Sequence, residues 1–481
     1  MTSLPRCPSS TDDIRPMRPA PLPPSSPAAV AAPRGELGTA ALVPQRGRMR
    51  GWLEPSIVAC ALLAVFCTRI EGVSFWPDES QWIATSYFFE GFRDRLGAPF
   101  LWDESYWTLT QPPLARYVIG LGRLAGGYSM RDLNEPWEFK SDAAANVARG
   151  AMPGPGLLWW SRLPMALLTV LSIVILFCLV TRAAGRVAGY TLVLLLAGNP
   201  YVYSTLCRAM SEAPLLACVA MAMLASDWAL GCWQRAATAS HPSVKALRPA
   251  AACFFLMGSM CGLGAAAKLN GFATVAAGLV LCVLAAVTHA GNVAKSARAT
   301  FIIAVSGLLL FGTALIFVAA NPYLYPDPLG HTLAMFTSRL TEVQKHIGLY
   351  PRFAIHGLGM RFDVVSQRVL QDFAAISVRG AIFINLLLCA IGASVLVRAA
   401  WSWLRGNENG GTSMVLMAVA FTTAAPALLT PLDWDRYYLL PVIFSSVGIA
   451  VGIAACVTCL FALVWPRTAP DVDVLRAGAL S

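Results

Sequence analysis

Residues 52–70, WLEPSIVACALLAVFCTRI, form an almost uninterrupted apolar stretch, and residues 77–82, PDESQW, follow it after a short break. A helix of that length covers about 28 Å at 1.5 Å per residue, close to the hydrocarbon thickness of a bilayer. This order predicts a membrane-spanning helix that places an acidic pair, Asp78-Glu79, at a membrane surface.

The rest of the chain repeats the apolar pattern. Its 481 residues are 57% hydrophobic and 13% charged, with a mean hydropathy of +0.60. A soluble protein carries roughly a quarter charged residues. We therefore predict an all-α polytopic membrane protein with about ten spans, near residues 52–70, 161–183, 187–205, 212–231, 250–267, 271–290, 299–320, 379–400, 413–430 and 438–465.

The basic residues indicate orientation in a membrane, not binding to nucleic acid, although the net charge is +10. Residues 1–49, rich in Pro, Ala, Ser and Arg, predict a disordered cytoplasmic tail without a cleavable signal peptide. The domain over residues 50–440 then carries two external loops, 71–160 and 321–378. Residues 441–481 supply the last span and a short cytoplasmic tail.

The segment Pro112–Gly127 decides which side is external. It is short for a span, roughly 24 Å as a helix, and each of Arg116 and Arg123 would cost about 2.5–3.5 kcal/mol at mid-membrane. The two arginines share one helical face. We predict a helix lying in the interface, with its arginines toward headgroups or phosphates. Counting this segment as a span would reverse the external side.

Polar residues gather at the predicted external ends of the spans. A second acidic pair, Asp103-Glu104, lies farther from any span, and we interpret it as a solvated turn. We also interpret His331, His346 and His356 as surface residues, because their spacing suits no metal site. The candidate chemical residues are Asp78, Glu79, Gln111, Pro112, Arg162, Arg208, Glu212, Lys268 and Arg436.

These residue types suit one kind of chemistry. A carboxylate can deprotonate a hydroxyl or amine, while guanidinium and ammonium groups bind phosphate. Aromatic residues such as Trp82 and Tyr437 can pack on a sugar ring or a prenyl chain. A lipid-phosphate-linked sugar would use all three.

At these residues the chain resembles the membrane glycosyltransferases that use polyprenyl-phosphate sugars. These include the dolichyl-phosphate-mannose–protein mannosyltransferases and the aminoarabinose transferase-like enzymes, which share the GT-C fold. The resemblance covers roughly residues 52–440. It rests on Asp78-Glu79, Pro112-Pro113-Leu114, Arg162-Leu163-Pro164, Arg208, Glu212, Lys268, Asn321-Pro322 and Arg436-Tyr437-Tyr438.

The resemblance implies a glycosyltransferase that moves a hexose, with mannose as one candidate, from a polyprenyl- or dolichyl-phosphate donor. The acceptor would be a glycan, lipid or protein outside the cytoplasm, and the enzyme would lie in a bacterial plasma membrane or a eukaryotic ER membrane. Asp78 would be the base, with Glu79 in support. The implied substrate contacts are Gln111, Pro112, Arg162, Arg208, Glu212, Lys268 and Arg436, of which Arg162 and Lys268 are the candidates to contact the donor phosphate.

The chain departs from the family pattern at two of these positions. Gln111 stands where relatives often carry a basic residue, and Glu212 stands where Asp is common. No cofactor is implied with certainty, and the role of a divalent metal stays open. The alternative class is a transporter or a non-catalytic membrane protein, for which polar groups near mid-span and an internal repeat would be typical.

Overall fold

The computed structural model describes residues 46–94, 102–238, 244–288, 295–376, 380–406 and 410–464. Its helices are α1 Arg46–Arg69, α2 Pro77–Ala84, α3 Phe88–Asp94, α4 Tyr106–Thr110, α5 Leu114–Ala125, α6 Ala143–Ala148, α7 Pro155–Ala184, α8 Arg186–Gly198, α9 Pro200–Cys207, α10 Glu212–Thr238, α11 Val244–Ala267, α12 Ala273–Thr288, α13 Lys295–Ala319, α14 Pro328–Leu349, α15 Gly357–Gln367, α16 Ile382–Leu404, α17 Gly411–Leu429 and α18 Leu439–Val464. Within these ranges the chain forms no β-strand, so the all-α prediction is confirmed. The predicted tails at 1–45 and 465–481 lie outside the described residues.

Nine helices of the described chain are long and apolar enough to cross a membrane, namely α1, α7, α10, α11, α12, α13, α16, α17 and α18. Large apolar side chains point outward from them; Ile303, Phe383 and Phe421 are 73%, 77% and 82% exposed. Water would make such a surface unfavourable, whereas lipid tails match it. The polytopic prediction is confirmed, with one span fewer by length than expected.

The missing span is the one predicted at 187–205, which is broken into α8 and α9. Helix α8 has 13 residues, about 20 Å, and ends before Asn199. The Asn199 side chain accepts hydrogen bonds from the backbone N–H groups of Tyr201 and Val202, at 2.9 and 3.2 Å, and so caps the helix that Pro200 begins. A hydropathy average taken over a window of residues hides this break, so the sequence predicts one continuous span.

The two short helices together return the chain across the bundle. Arg162, near the start of α7, and the backbone N–H of Ala209, just after α9, donate to the same Oε1 of Glu79, at 2.8 and 2.9 Å. The chain therefore leaves this end along α7 and comes back along α8 and α9. The nine span-length helices and this broken pair of the described chain match the ten segments predicted from hydropathy, while the side on which each one ends stays a prediction.

The two predicted external loops meet at one end of the bundle. The Tyr117 hydroxyl of α5 donates to the Ala320 carbonyl after α13, at 3.1 Å, and α14 of the second loop packs on α4 of the first. Helix α5 has 12 residues and is not among the helices that could span. The first loop is thus a layer of short helices over the ends of the spans.

The predicted orientation of the α5 arginines is wrong. Arg116 and Arg123 share a face, but both are completely buried instead of facing lipid headgroups. Arg116 donates to Thr85 Oγ1 at 2.9 Å, and Arg123 forms an ion pair with Glu90. Their periodicity correctly indicated a common face, but the acceptors lie on other parts of the loop. The face packs on protein because those acceptors replace water there.

One ionisable pair of the described spans lies toward the opposite end of the bundle. Asp227 of α10 binds Arg182, which belongs to the last turn of α7, and it accepts from the Thr412 hydroxyl at 2.5 Å. Arg162 near the start of α7 marks the other end. This position differs from the mid-span site that a transporter would be expected to use.

The side assignment predicts how cysteines should react. Ser141 in the first loop and Gln344 on α14 are exposed at the same end, so Ser141→Cys and Gln344→Cys should be labelled from outside by an impermeant thiol reagent. Ser240, outside the described residues, lies between α10 and α11 and should stay unlabelled in intact cells as Ser240→Cys. The unsubstituted chain supplies the background. Labelling of Ser240→Cys but not Ser141→Cys would reverse the external side.

Candidate active site

Glu79 connects three segments of the chain. Proline begins α2 at a position where a missing N–H costs little, and the Glu79 carboxylate accepts the backbone N–H of Trp76 at 3.0 Å. It also accepts from Ala209 and binds the Arg162 guanidinium through both oxygens, at 2.8 and 2.6 Å. Glu79 is completely buried. Its carboxylate is occupied by protein donors on every side.

The hydrogen-bond donors of Arg162 are also fully occupied. Besides Glu79, its guanidinium donates to the carbonyls of Ile70, Val73 and Ser74, at 3.2, 2.7 and 3.4 Å. The five N–H groups of an arginine thus all have acceptors. The predicted contact of Arg162 with a donor phosphate stays a prediction. In this geometry the side chain holds Glu79 and the segment after α1.

Asp78 points away from its neighbour, because consecutive helical residues differ by about 100° in direction. Its carboxylate forms an ion pair with Arg436, which lies in the turn of 3₁₀-helix Asp435–Tyr438 before α18. The two side chains are 20% and 27% exposed. Asp78, unlike Glu79, is therefore accessible to a substrate, and Arg436 keeps a positive charge beside it.

A second ion pair lies in the cavity that Arg436 lines. Lys268 donates to Glu212 Oε1 at 2.9 Å, and its Nζ is 5.5 Å from the centre of the Tyr437 ring. Glu212 is the first residue of α10, where a helix favours negative charge. The residues that line the cavity are Glu212, Leu215, Lys268, Asn270, Thr423, Pro426, Arg436, Tyr437, Leu439 and Leu440.

Arg208 contributes a third cation near these pairs. Its guanidinium carbon is 4.8 Å from the centre of the Trp76 ring, and its Nε is buried and makes no hydrogen bond within the described residues. Burial lowers the pKa of Arg208, while the nearby Glu79 carboxylate opposes that shift. This Arg208 N–H has no acceptor among the described residues.

Gln111 and Pro112 do not line this cavity. The Gln111 side chain and carbonyl accept from Arg116, at 3.0 and 3.1 Å, and Pro112 is buried. Asp103 is exposed, in agreement with its interpretation as a solvated acid. In this loop, therefore, Asp78 and not Asp103 lies beside the cavity that carries the cations.

Two histidines of the second loop differ from their predicted surface position. His331 is half-buried against the Tyr323 ring, 4.4 Å between centres, and His346 is half-buried against Trp434 at 5.0 Å; His356 is exposed as predicted. In the described ranges, no three His, Cys, Asp or Glu side chains come together as a metal site. From the sequence, His346 is interpreted only as a surface residue, although its partner Glu342 stands four residues before it.

The helical arrangement is similar to those of several solved membrane proteins. One is the Archaeoglobus fulgidus oligosaccharyltransferase tethered with an acceptor peptide, at TM-score 0.47 and 15% identity, covering 89% of this chain and 53% of that chain. ArnT from Cupriavidus metallidurans bound to undecaprenyl phosphate matches at 0.44 and 15%, covering 88% and 66%. The S. cerevisiae protein O-mannosyltransferase Pmt1-Pmt2 complex bound to the sugar donor matches at 0.41 and 16%, covering 59% and 34%.

The latter two belong to the groups that the sequence resembles. All three TM-scores are below 0.5 and all identities are far below 25%, so this likeness concerns the helical fold and carries no functional argument. The chain spans between 34% and 66% of the length of the matched chains. No family model matches the sequence, and no curated protein matches it.

Proposed function

We propose that this chain is a membrane glycosyltransferase that moves a hexose from a polyprenyl-phosphate donor to an acceptor on the external side. One observation carries the proposal: the accessible Asp78 carboxylate contacts Arg436, which lines a cavity together with Lys268. A base and two cations thus lie together at the ends of the spans. A lipid-linked sugar phosphate would reach such a cavity from the bilayer.

A single displacement accounts for one accessible carboxylate. Asp78 accepts the proton of an acceptor hydroxyl as the acceptor oxygen forms a bond to the anomeric carbon of the sugar. The bond between that carbon and the phosphate oxygen breaks, and polyprenyl phosphate leaves with the bonding electron pair. The configuration at the anomeric carbon inverts. Arg436 and Lys268 stabilise the charge that develops on the leaving phosphate.

The other polar residues position this machinery. Glu79 and Arg162 fix the start of α2 and hence the Asp78 backbone, and Glu212 holds the Lys268 ammonium. Gln111 is neutral and occupied by Arg116, so in our proposal the charge for the phosphate comes from the cavity lysine and arginine, with Arg208 beside them. The proposed step uses no metal, because Asp78, Glu79 and Glu212 are each paired with a cation and no three His, Cys, Asp or Glu of the described residues come together.

The sugar and the donor lipid follow from the resemblance and are part of the proposal. Mannose is the first candidate hexose, and polyprenyl or dolichyl monophosphate the candidate carrier. A membrane assay with a panel of radiolabelled polyprenyl-phosphate sugars tests both. We expect label to reach an acceptor from at least one monophosphate donor, and from none in Asp78→Asn membranes. Absence of transfer from every donor, or equal transfer by Asp78→Asn, would refute the proposal.

Lys268 gives a test of phosphate recognition. Lys268→Gln keeps a donor for Glu212 but removes a charge from the cavity, and a hydrogen bond to a charged group contributes about 1.5–3 kcal/mol. The donor kcat/KM should fall roughly 10- to 150-fold. The matched control is Lys140→Gln, an exposed lysine of the first loop. Equal donor kinetics for the two variants would remove Lys268 from the phosphate site.

A further inference from the structure

A row of rings runs outward from the cavity. Tyr437 lines the cavity, and its ring centre is 5.7 Å from that of Trp434. Trp434 is 5.0 Å from His346, which is 6.0 Å from Tyr350. Tyr350 is 37% exposed. The row therefore leads from the proposed reaction centre to solvent, along the side where α14 covers the last external turn.

Polar groups of α14 flank this row. Arg339, Glu342 and His346 are three and four residues apart and so share one helical face. Arg339 donates to the Tyr437 hydroxyl at 3.1 Å, and His346 Nε2 is 3.2 Å from Glu342 Oε1. The α14 face is thus attached to the cavity wall through Tyr437.

His346 Nδ1 is buried and has no hydrogen-bond partner within the described residues. His346 Nε2 faces Glu342 Oε1 at 3.2 Å, and in a neutral imidazole that carries its proton on Nε2 the Nδ1 atom is an acceptor without a donor. A buried acceptor left without a donor costs free energy that a ligand hydroxyl can recover. His346 Nδ1 therefore lies on the row of rings, two rings beyond Tyr437 of the cavity wall.

The surroundings keep this imidazole neutral. Burial lowers the pKa of His346, and the positive charges of Arg339, Arg436 and Lys345 lower it further, while Glu342 opposes the shift. The folded state therefore favours the unprotonated ring at neutral pH. A neutral ring protonated at Nε2 presents a lone pair at Nδ1, which accepts from an O–H or N–H group.

We propose that Trp434, His346 and Tyr350 form an acceptor subsite for a carbohydrate, so that the acceptor is a saccharide or the glycan part of a glycoconjugate. This inference rests on the proposed function and names the acceptor class for the same site. Sugar rings present apolar C–H faces that pack on aromatic rings, and hydroxyls at their edges. The aromatic rings of the row can pack on the faces of the sugar. His346 Nδ1, Glu342 and Arg339 can form hydrogen bonds with its hydroxyls.

A carbohydrate suits this surface better than an apolar chain. A lipid tail on the row would leave Nδ1 without a donor and would take water from Glu342 and Arg339 without replacing its hydrogen bonds. A sugar hydroxyl donates to the imidazole and accepts from the guanidinium. The spacing of 5.0 to 6.0 Å between ring centres continues outward, so a second sugar unit would lie near Tyr350.

Binding without donor tests the subsite. The intact chain in detergent is titrated with methyl glycosides and short oligosaccharides, and with a Ser/Thr-containing peptide, while tryptophan fluorescence and thermal unfolding are followed. We expect at least one saccharide to bind and the peptide not to bind. Binding of the peptide alone, or of neither, would overturn the inference.

Kinetics with the bound saccharide as acceptor test the role of His346. His346→Ala should raise the acceptor KM about tenfold relative to the donor KM, as expected for one lost hydrogen bond. His346→Asn, which restores a side-chain acceptor, should recover part of that loss. His356→Ala, an exposed histidine of the same loop, is the control. Equal acceptor KM values for His346→Ala and His356→Ala would exclude the assigned role.

The two proposals fail in distinguishable ways. Release of free sugar from a polyprenyl-phosphate sugar, measured without any acceptor, and binding of that donor report on the proposed function. Saccharide binding without donor reports on the subsite. A chain that uses the donor but binds no saccharide would keep the transferase and remove the carbohydrate acceptor. A chain that binds neither would remove both.

Discussion

Replacing Asp78 with asparagine should slow transfer by roughly 100- to 10,000-fold, the range that general-base catalysis contributes. Asparagine has nearly the same size and can still accept a hydrogen bond from Arg436, but it cannot take the acceptor proton. The measurement is the initial rate at saturating donor and acceptor, with the amount of folded protein determined in the same sample.

Stability should change little in Asp78→Asn. The Asp78 and Arg436 side chains are 20% and 27% exposed, and asparagine can still accept the hydrogen bond from Arg436, so the guanidinium keeps a partner. The matched control is Asp103→Asn, an exposed acid of the same loop, which should transfer sugar at close to the unsubstituted rate. If Asp103→Asn were inactive and Asp78→Asn active, the catalytic base would belong to the pair Asp103-Glu104 instead.

Arg162→Ala should destabilise the fold by about 3–5 kcal/mol, because it leaves the Glu79 charge buried without its partner. Thermal unfolding in detergent and the yield of monodisperse protein report this loss. Arg162→Lys should recover only part, since an ammonium cannot reproduce the two parallel bonds or reach the carbonyls of Val73 and Ile70.

A double variant separates stability from substrate binding. Glu79→Gln with Arg162→Met removes both charges, and replacing a buried ion pair as a whole costs far less than removing one partner. We expect the double variant to be more stable than Arg162→Ala. If Arg162→Ala instead unfolds normally and loses only donor affinity, then Arg162 contacts the phosphate as the resemblance implies.

The sequence predicts the spans well because apolar length is a local property. Hydropathy predicts the nine span-length helices and the segment that is broken, and the basic residues predict the common end at which the two long loops of the described chain meet. The break between α8 and α9 escapes an averaged window, although the Asn199-Pro200 pair, a cap followed by a first-turn proline, is visible in the chain. This pair is a local signal for a helix boundary, but the hydropathy of the whole segment outweighed it in the prediction of a continuous span.

Partners of buried charges are much harder to predict. The cost of burying Arg116, Arg123 and Arg162 is evident from the sequence, but their acceptors are distant along the chain or lie on other helices. Arg162 and Glu79 are 83 residues apart, and only packing brings them together. Sequence reasoning therefore identified which groups need a partner and assigned some of them to phosphates or headgroups.

The Glu79 carboxylate also implies an order of events during synthesis. Its partners reach the membrane one after another: Arg162 with α7, and the Ala209 amide only after α8 and α9 have returned. Until α7 is made, the Glu79 charge at the edge of the bilayer has no partner, and until residue 209 follows, one of its hydrogen-bond donors is missing. The early helices therefore gain their final arrangement only when the ribosome has passed residue 209, and the first external loop closes behind the third crossing.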